Sequence, residues 1–212
     1  MSAPQTPPPQ PRTLLLGVLG GIASGKSEVA RLLAGSDGRV LDADQLAHGV
    51  LEEPEVRRWL EQRFGSGVLA DGRVDRAALG AAVFSDPAAR RALEAQVHPR
   101  VRAALLAGVE AARAAGVPRV VLDVPLLLEN EAEHGLPAQC DALVFVDADA
   151  KVRDARAVAR RGWASGELER REALQLPLAT KRDRADFVIR NEGDLDELRA
   201  AVGRVLAALA IR

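Results

Sequence analysis

The chain has 212 residues, 48% hydrophobic and 28% charged, with 18 Gly and 12 Pro. That is the composition of one compact globular unit, or one core with inserts, and it excludes disorder throughout. The 29 Lys and Arg against 30 Asp and Glu leave a net charge of −1 and there is no Tyr, so neither the positive field nor the stacking aromatics of a general nucleic-acid binder are present, and no partner of that class is expected.

No apolar stretch approaches the roughly 20 residues of a membrane helix, so no membrane partner is expected either. The single Cys140 allows neither an internal disulfide nor a cysteine-cluster metal site, and His48, His98 and His134 are too scattered for a zinc signature. A reducing cytoplasm fits this usage.

Residues 1–12, MSAPQTPPPQPR, read as a flexible Pro-rich tail without the apolar core of a secretory signal; an SH3-ligand role is the weaker alternative. Leu14–Leu19 is a continuous apolar run closed by Gly20–Gly21, the pattern of a strand buried on both faces of a parallel sheet. Glu28–Leu33 turns helical. Val40–Leu41, Val120–Val124, Ala142–Val146 and Phe187–Ile189 repeat the strand pattern, alternating with helical sequence. The expectation is an α/β fold, an open parallel sheet with right-handed crossovers.

Two intervals are too long for simple crossovers and predict helical inserts. The first, about 48–116, shows helical stretches at Glu55–Phe64, Arg76–Phe84 and Pro87–Val97, with turn signals at Gly65–Gly67, Asp71–Gly72 and His98–Pro99. The second, about 151–184, carries ten Lys and Arg against five Asp and Glu. It reads as a lid over an anion or as a solvated helical face. Leu195, Leu198, Val202, Val205, Leu206 and Leu209 then recur at helical spacing, so a terminal helix packs one face on the sheet.

Gly20-Gly21-Ile22-Ala23-Ser24-Gly25-Lys26-Ser27 satisfies G-x-x-x-x-G-K-[ST], between a buried strand and a helix start. Such a loop surrounds a polyphosphate with backbone N–H groups, places Lys26 beside the β- and γ-phosphates and offers Ser27 to Mg²⁺. An ATP or GTP site with Lys26 exposed is expected.

Val40-Leu41-Asp42-Ala43-Asp44 puts two carboxylates at the carboxyl end of the next strand, where ligands bind in open α/β sheets. If the strand runs on, alternation points both the same way. An alcohol acceptor gains from a carboxylate that takes its proton, whereas a phosphate acceptor does not need one. The alternative is that one Asp only caps the helix at Gln45–Leu51. Asp123 ends the third strand where a metal-approaching carboxylate sits, or pairs inside the fold. Leu126–Leu128 beside Glu129 form either a wall for an uncharged substrate tail or core.

These motifs in this order resemble the dephospho-CoA kinase family, from about Leu14 to Leu206. The phosphate loop is joined by Asp42-Ala43-Asp44, His98-Pro99, Pro125-Leu126-Leu127-Leu128-Glu129 and Ala185-Asp186-Phe187-Val188-Ile189-Arg190-Asn191-Glu192-Gly193, with Arg156, Arg160 and Gln175 at lid spacing. The resemblance implies a P-loop kinase fold, a five-stranded parallel sheet of order 2-3-1-4-5 flanked by helices, with an inserted helical substrate subdomain and a helical lid. It implies transfer of the γ-phosphoryl of ATP, with Mg²⁺, to the ribose 3′-hydroxyl of dephospho-CoA. Asp44 would be the base, with Lys26 and Arg160 screening the transferred group. Gly21, Ile22, Ala23, Ser24, Gly25, Lys26, Ser27, Glu28 and Asn191 would bind ATP. Asp42, His98, Leu126, Leu127, Glu129 and Arg156 would bind the acceptor, and Ser27 the metal.

Two positions depart from the family's loop: Ala23 stands for a glycine, in a backbone conformation that an L-residue must tolerate, and Glu28 stands for Thr and brings a carboxylate toward the phosphates. A nucleoside monophosphate kinase of the same fold and a non-catalytic nucleotide switch are the alternative functions.

Overall fold

The computed structural model describes residues 12–84, 86–164 and 166–211; the Pro-rich stretch up to residue 11 lies outside the described residues. In chain order the elements are β1 (Leu14–Gly20), α1 (Lys26–Ala34), β2 (Arg39–Asp42), α2 (Ala43–Leu51), α3 (Pro54–Phe64), β3 (Leu69–Ala70), β4 (Arg73–Val74), α4 (Arg76–Phe84), α5 (Pro87–Ala114), β5 (Arg119–Asp123), α6 (Glu131–His134), β6 (Ala142–Asp147), α7 (Ala150–Arg161), α8 (Glu167–Glu172), α9 (Leu178–Asp183), β7 (Phe187–Arg190) and α10 (Leu195–Leu209). They fall into two compact units, one comprising the chain up to Leu41 and from Val109 onward, the other Asp42–Gly108.

The first unit is built on a five-stranded sheet of order β2-β5-β1-β6-β7. Counting only its own strands this is 2-3-1-4-5, as the resemblance implied. β1 lies parallel to β5, with Leu16 opposite Val121, and parallel to β6, with Leu16 opposite Ala142; β6 lies parallel to β7, with Val146 opposite Ile189. The apolar runs follow from this placement: strands with neighbours on both edges and helices on their faces expose no side to water, so Leu15, Leu16, Val120, Val121, Leu122, Val144 and Val146 are all buried. One layer of core joins Val29, Ala30 and Leu33 of α1 and Leu198, Val202, Val205 and Leu209 of α10 to Leu16, Val18, Val144 and Ile189 of the sheet. Asp194 starts α10 by accepting the N–H groups of Asp196 (3.0 Å) and Glu197 (2.9 Å). Arg12, assigned to the tail, ion-pairs with Asp141 just before β6.

The second unit carries α2, α3, the β3–β4 hairpin, α4 and most of α5. The hairpin turns at Asp71 (φ 50°) and Gly72 (φ 74°), the pair of positive φ angles that a two-residue loop matched to strand twist requires. Asp75 caps α4 through the N–H groups of Ala77 and Ala78.

The break expected at His98–Pro99 does not occur, because α5 runs continuously from Pro87 to Ala114 with Pro99 inside it. Pro99 forfeits one helical hydrogen bond, but Val97, Val101, Leu105 and Val109 recur every fourth residue and are all buried, which carries the helix through.

Candidate active site

β1 ends at Gly20, and the phosphate loop crosses to the N-terminus of α1. Gly25 caps α1 in the left-handed region (φ 94°), and its carbonyl accepts the N–H groups of Glu28 and Val29, both at 3.1 Å. A side chain at Gly25 would collide with the Asn191 amide. Ala23 also takes a left-handed conformation, φ 58°. The loop thus keeps a glycine-type geometry that Ala23 tolerates at a cost of about 1–2 kcal/mol. Glu28 ion-pairs with Arg31 one turn on, at 2.6 Å, so its charge is partly offset on its own helix.

Lys26 is not exposed as expected. It is half-buried and folds back, its Nζ donating to the carbonyls of Gly21 (2.9 Å) and Gly20 (3.2 Å). Burial pushes its pKa down to about 8; Asp123 and Glu172 pull it up, while Lys181 and Arg161 push it further down. Asp123 is thus buried at the end of β5 with its charge acting on Lys26.

Ser27 is exposed at the start of α1. Ser27 and Asp123 together present only oxygen donors, a set suited to Mg²⁺. Among the described residues no cluster of three His, Cys, Asp or Glu could hold a metal by itself, so an ion here would need oxygens from a nucleotide as well.

The basic segment expected to act as a lid carries α7, α8 and α9. Arg156 reaches the Ser24 carbonyl at 3.5 Å, and Asn191, expected to bind ATP, is buried with its Nδ2 donating to that same carbonyl at 2.7 Å. Arg160 is exposed near the end of α7, whereas the guanidinium groups of Arg161 and Arg171 both lie over Trp163, 5.0 and 4.5 Å from its ring centre.

Glu129 pairs with Lys181 at 2.7 Å and accepts the Leu176 N–H at 3.2 Å, while Gln175 accepts from Lys181 at 3.0 Å. Leu127 and Leu128 are buried, which makes them core; Leu126 alone is exposed, with φ 56°. The wall expected of Leu126 and Leu127 therefore reduces to Leu126.

In the Asp42–Gly108 unit, Asp42 caps α2, one carboxylate oxygen accepting the N–H groups of Asp44 (2.9 Å) and Gln45 (3.1 Å). The shared orientation expected from strand alternation does not hold, because the strand stops at Asp42 and Asp44 is already helical. β2 is also an edge strand, in which only Leu41 is buried. Asp44 is exposed in the first turn of α2, and His98 is exposed on α5.

Sequence reasoning missed Arg153 and Glu172, two further charges at the loop, and gave Arg161 and Lys181 no role. Lys181 carried a usable signal as one of three lysines in the chain. Glu172 carried none, being one acidic residue among many lid charges.

A strand ending in this loop, inside a five-stranded parallel sheet of order 2-3-1-4-5, defines a P-loop kinase fold. A shikimate kinase from Acinetobacter baumannii shares that fold, with a TM-score of 0.53 and 12% identity over 93% of each chain. The model of the dephospho-CoA kinase family matches residues 14–197. Dephospho-CoA kinases of Symbiobacterium thermophilum (46% identical, covering 89% of this chain and 78% of that one) and Deinococcus radiodurans (45%, covering 96% and 95%) are similar to it. So is a crystal structure from Thermus thermophilus, with a TM-score of 0.74 and 38% identity over 93% of this chain and 98% of that one. The chain belongs to the dephospho-CoA kinase family.

Proposed function

We propose that this chain transfers the γ-phosphoryl group of ATP to the ribose 3′-hydroxyl of dephospho-CoA, giving CoA and ADP. The observation that carries the reading is the phosphate loop, with Lys26 at the start of α1 and basic side chains from α7 and α9 acting on it. The family supports the acceptor. Phosphoryl transfer needs little covalent help from the protein; it needs positioning and charge neutralisation.

Backbone N–H groups of Ala23, Gly25, Lys26 and Ser27 cradle the phosphates, with Gly21, Ile22, Ser24 and Glu28 shaping the loop around them, and Lys26 leaves the Gly20 and Gly21 carbonyls to reach them. Arg160 screens the group in transit, and Arg156 and Asn191 keep the Ser24 carbonyl occupied. Asp44 accepts the 3′-hydroxyl proton as the new P–O bond forms and the bond to ADP breaks. Asp42 orients Asp44 through the first turn of α2.

The segment 48–116, with His98, receives the CoA portion, Leu126 and Glu129 contribute to acceptor binding, and 151–184 closes as the lid. Mg²⁺, held by Ser27 and approached by Asp123, would neutralise phosphate charge when bound. The single Cys140 suits a cytoplasmic setting.

A coupled ADP-release assay with dephospho-CoA, AMP, CMP and no acceptor tests the reading. ADP release is expected with dephospho-CoA alone. Transfer to AMP or CMP would favour a nucleoside monophosphate kinase, and tight ATP binding without transfer a nucleotide switch.

A further inference from the structure

Arg153 of α7 and Glu172 at the end of α8 form an ion pair that is largely withdrawn from water, their side chains 6% and 18% exposed. Charges in such a place are retained only when their hydrogen-bonding capacity is met. Arg153 meets its share by donating Nε to the Ala148 carbonyl at 3.0 Å and Nη1 to Glu172 Oε1. Glu172 Oε1 takes a second bond from outside the lid, from the Ile22 N–H of the phosphate loop at 2.9 Å. Space for this comes from Gly21, where a Cβ would stand 2.6 Å from Arg153 Nη1 and 2.7 Å from Glu172 Oε1.

The Ile22 N–H and the Gly21 carbonyl belong to one peptide plane. At its carbonyl end that plane accepts Lys26 Nζ (2.9 Å) and the Ser24 N–H (3.3 Å); at its N–H end it is held by Glu172. When Lys26 turns to a nucleotide, the carbonyl end loses its charged partner and the Glu172 bond is the main restraint left. A peptide with glycine on its N-terminal side rotates more easily than one between two side-chain-bearing residues, and a rotated one would aim a carbonyl dipole at the phosphates.

We infer that Glu172, held by Arg153, is a positioning residue that pins the Gly21–Ile22 peptide of the phosphate loop in its nucleotide-binding orientation. This rests on the phosphoryl-transfer reading above. It adds a role for the lid: the lid sets the shape of the loop before any substrate arrives.

The test compares R153M/E172Q with R153M/E172M. Both lack the ion pair and the negative charge, and they differ in one respect: the glutamine side chain of the first still offers an oxygen to the Ile22 N–H. ATP affinity is read by calorimetry without acceptor, folding by circular dichroism, and Ile22 amide exchange by NMR. The glutamine variant is expected to bind ATP within about threefold of the wild type, and the methionine variant about tenfold or more weaker, the loss set by one buried hydrogen bond.

Ile22 should exchange slowly in the wild type and the glutamine variant, and rapidly in the methionine variant. Equal ATP affinities in two folded variants would overturn the inference. Fast Ile22 exchange in the wild type would do so even if neither variant folds. A wild type that binds ATP but phosphorylates no dephospho-CoA would defeat the functional reading and leave this comparison intact.

Discussion

Lys26 holds a positive charge where burial makes that charge costly, and the cost is offset in part by the charges of Asp123 and Glu172 and by the Gly20 and Gly21 carbonyls. Its pKa in the folded chain, about 8, lies below the ordinary 10.5. Below pH 8 both folded and unfolded chains carry the proton, and the fold bears the full desolvation cost. Between about 8 and 10.5 the folded chain gives up a proton that the unfolded chain keeps, so this contribution to stability rises with pH; above 10.5 both are neutral and the cost is gone. Lys26→Met removes the charge at a similar length. At about pH 7 it is expected to melt at or above the wild type while losing at least about tenfold in kcat, the minimum for a group that neutralises transferring phosphate. The wild type should then gain stability relative to the variant as pH climbs from about 8 to 10.5. A melting temperature several degrees lower for the variant at neutral pH would mean that the Gly20 and Gly21 carbonyls contribute more than desolvation costs. The sequence motif identifies Lys26 but predicts it exposed, because a motif specifies the residue's partner in the complex and says nothing of where the side chain rests without it.

The junction between β2 and α2 shows how an element boundary decides chemistry. Asp42 and Asp44 read as neighbours on one strand face, but the Asp42 carboxylate satisfies two N–H groups that a helix start leaves open, and the chain turns helical at Ala43. The two carboxylates therefore separate into a cap and an outward group. Asp42→Asn keeps a good cap and should preserve both fold and most of kcat, whereas Asp42→Ala should cost about 1 kcal/mol of stability. Asp44→Asn should leave the fold unchanged and lower kcat at saturating acceptor by about 10²–10⁴, the usual share of a general base. Thermal melts and kcat of the three variants check this; near-wild-type kcat in Asp44→Asn would remove its role as base. The strands themselves are legible in the sequence because burial on both faces writes an unbroken apolar run, as in Leu14–Leu19, and α10 because Leu198, Val202, Val205 and Leu209 keep its period. The β3–β4 hairpin is not, because its strands are two residues each, too short for any period. A break in α5 at Pro99 is expected only while a local breaker is weighed without the buried Val97–Val101–Leu105 row that overrides it.

Across the whole molecule, a net charge of −1 hides an uneven field, since residues 151–184, the proposed lid, hold ten cations against five anions. Ion pairing decides how much of that surplus can act on an approaching polyanion. Arg170 and Arg171 are taken up by Glu167, Arg182 by Asp147 and Arg184 by Glu131. Glu167 is held at a pKa of about 2 by its hydrogen bonds from Arg170 and Arg171, so it stays charged throughout the working range. Arg160, by contrast, is exposed on α7 with no ion-pair or hydrogen-bond partner among the described residues. The effective positive field therefore belongs to α7 rather than to the lid as a whole. Attraction of this kind speeds encounter with an anion and fades as salt shortens its range, from about 10 Å at 0.1 M to about 3 Å at 1 M. The expectation is that kcat/KM for ATP falls with ionic strength more steeply than kcat does. Arg160→Gln should flatten that dependence as well as lower kcat, because it removes an unpaired charge. Arg170→Gln should flatten the slope less, because it turns the Glu167–Arg170–Arg171 cluster into a neutral Glu167–Arg171 pair and the one charge lost lies on α8 rather than on α7. Rates measured from about 0.05 to about 0.5 M salt at constant free magnesium, a range over which the screening length shrinks severalfold, separate the two. If both substitutions flatten the slope equally, the field is a property of the total lid charge and pairing within α8 does not screen it.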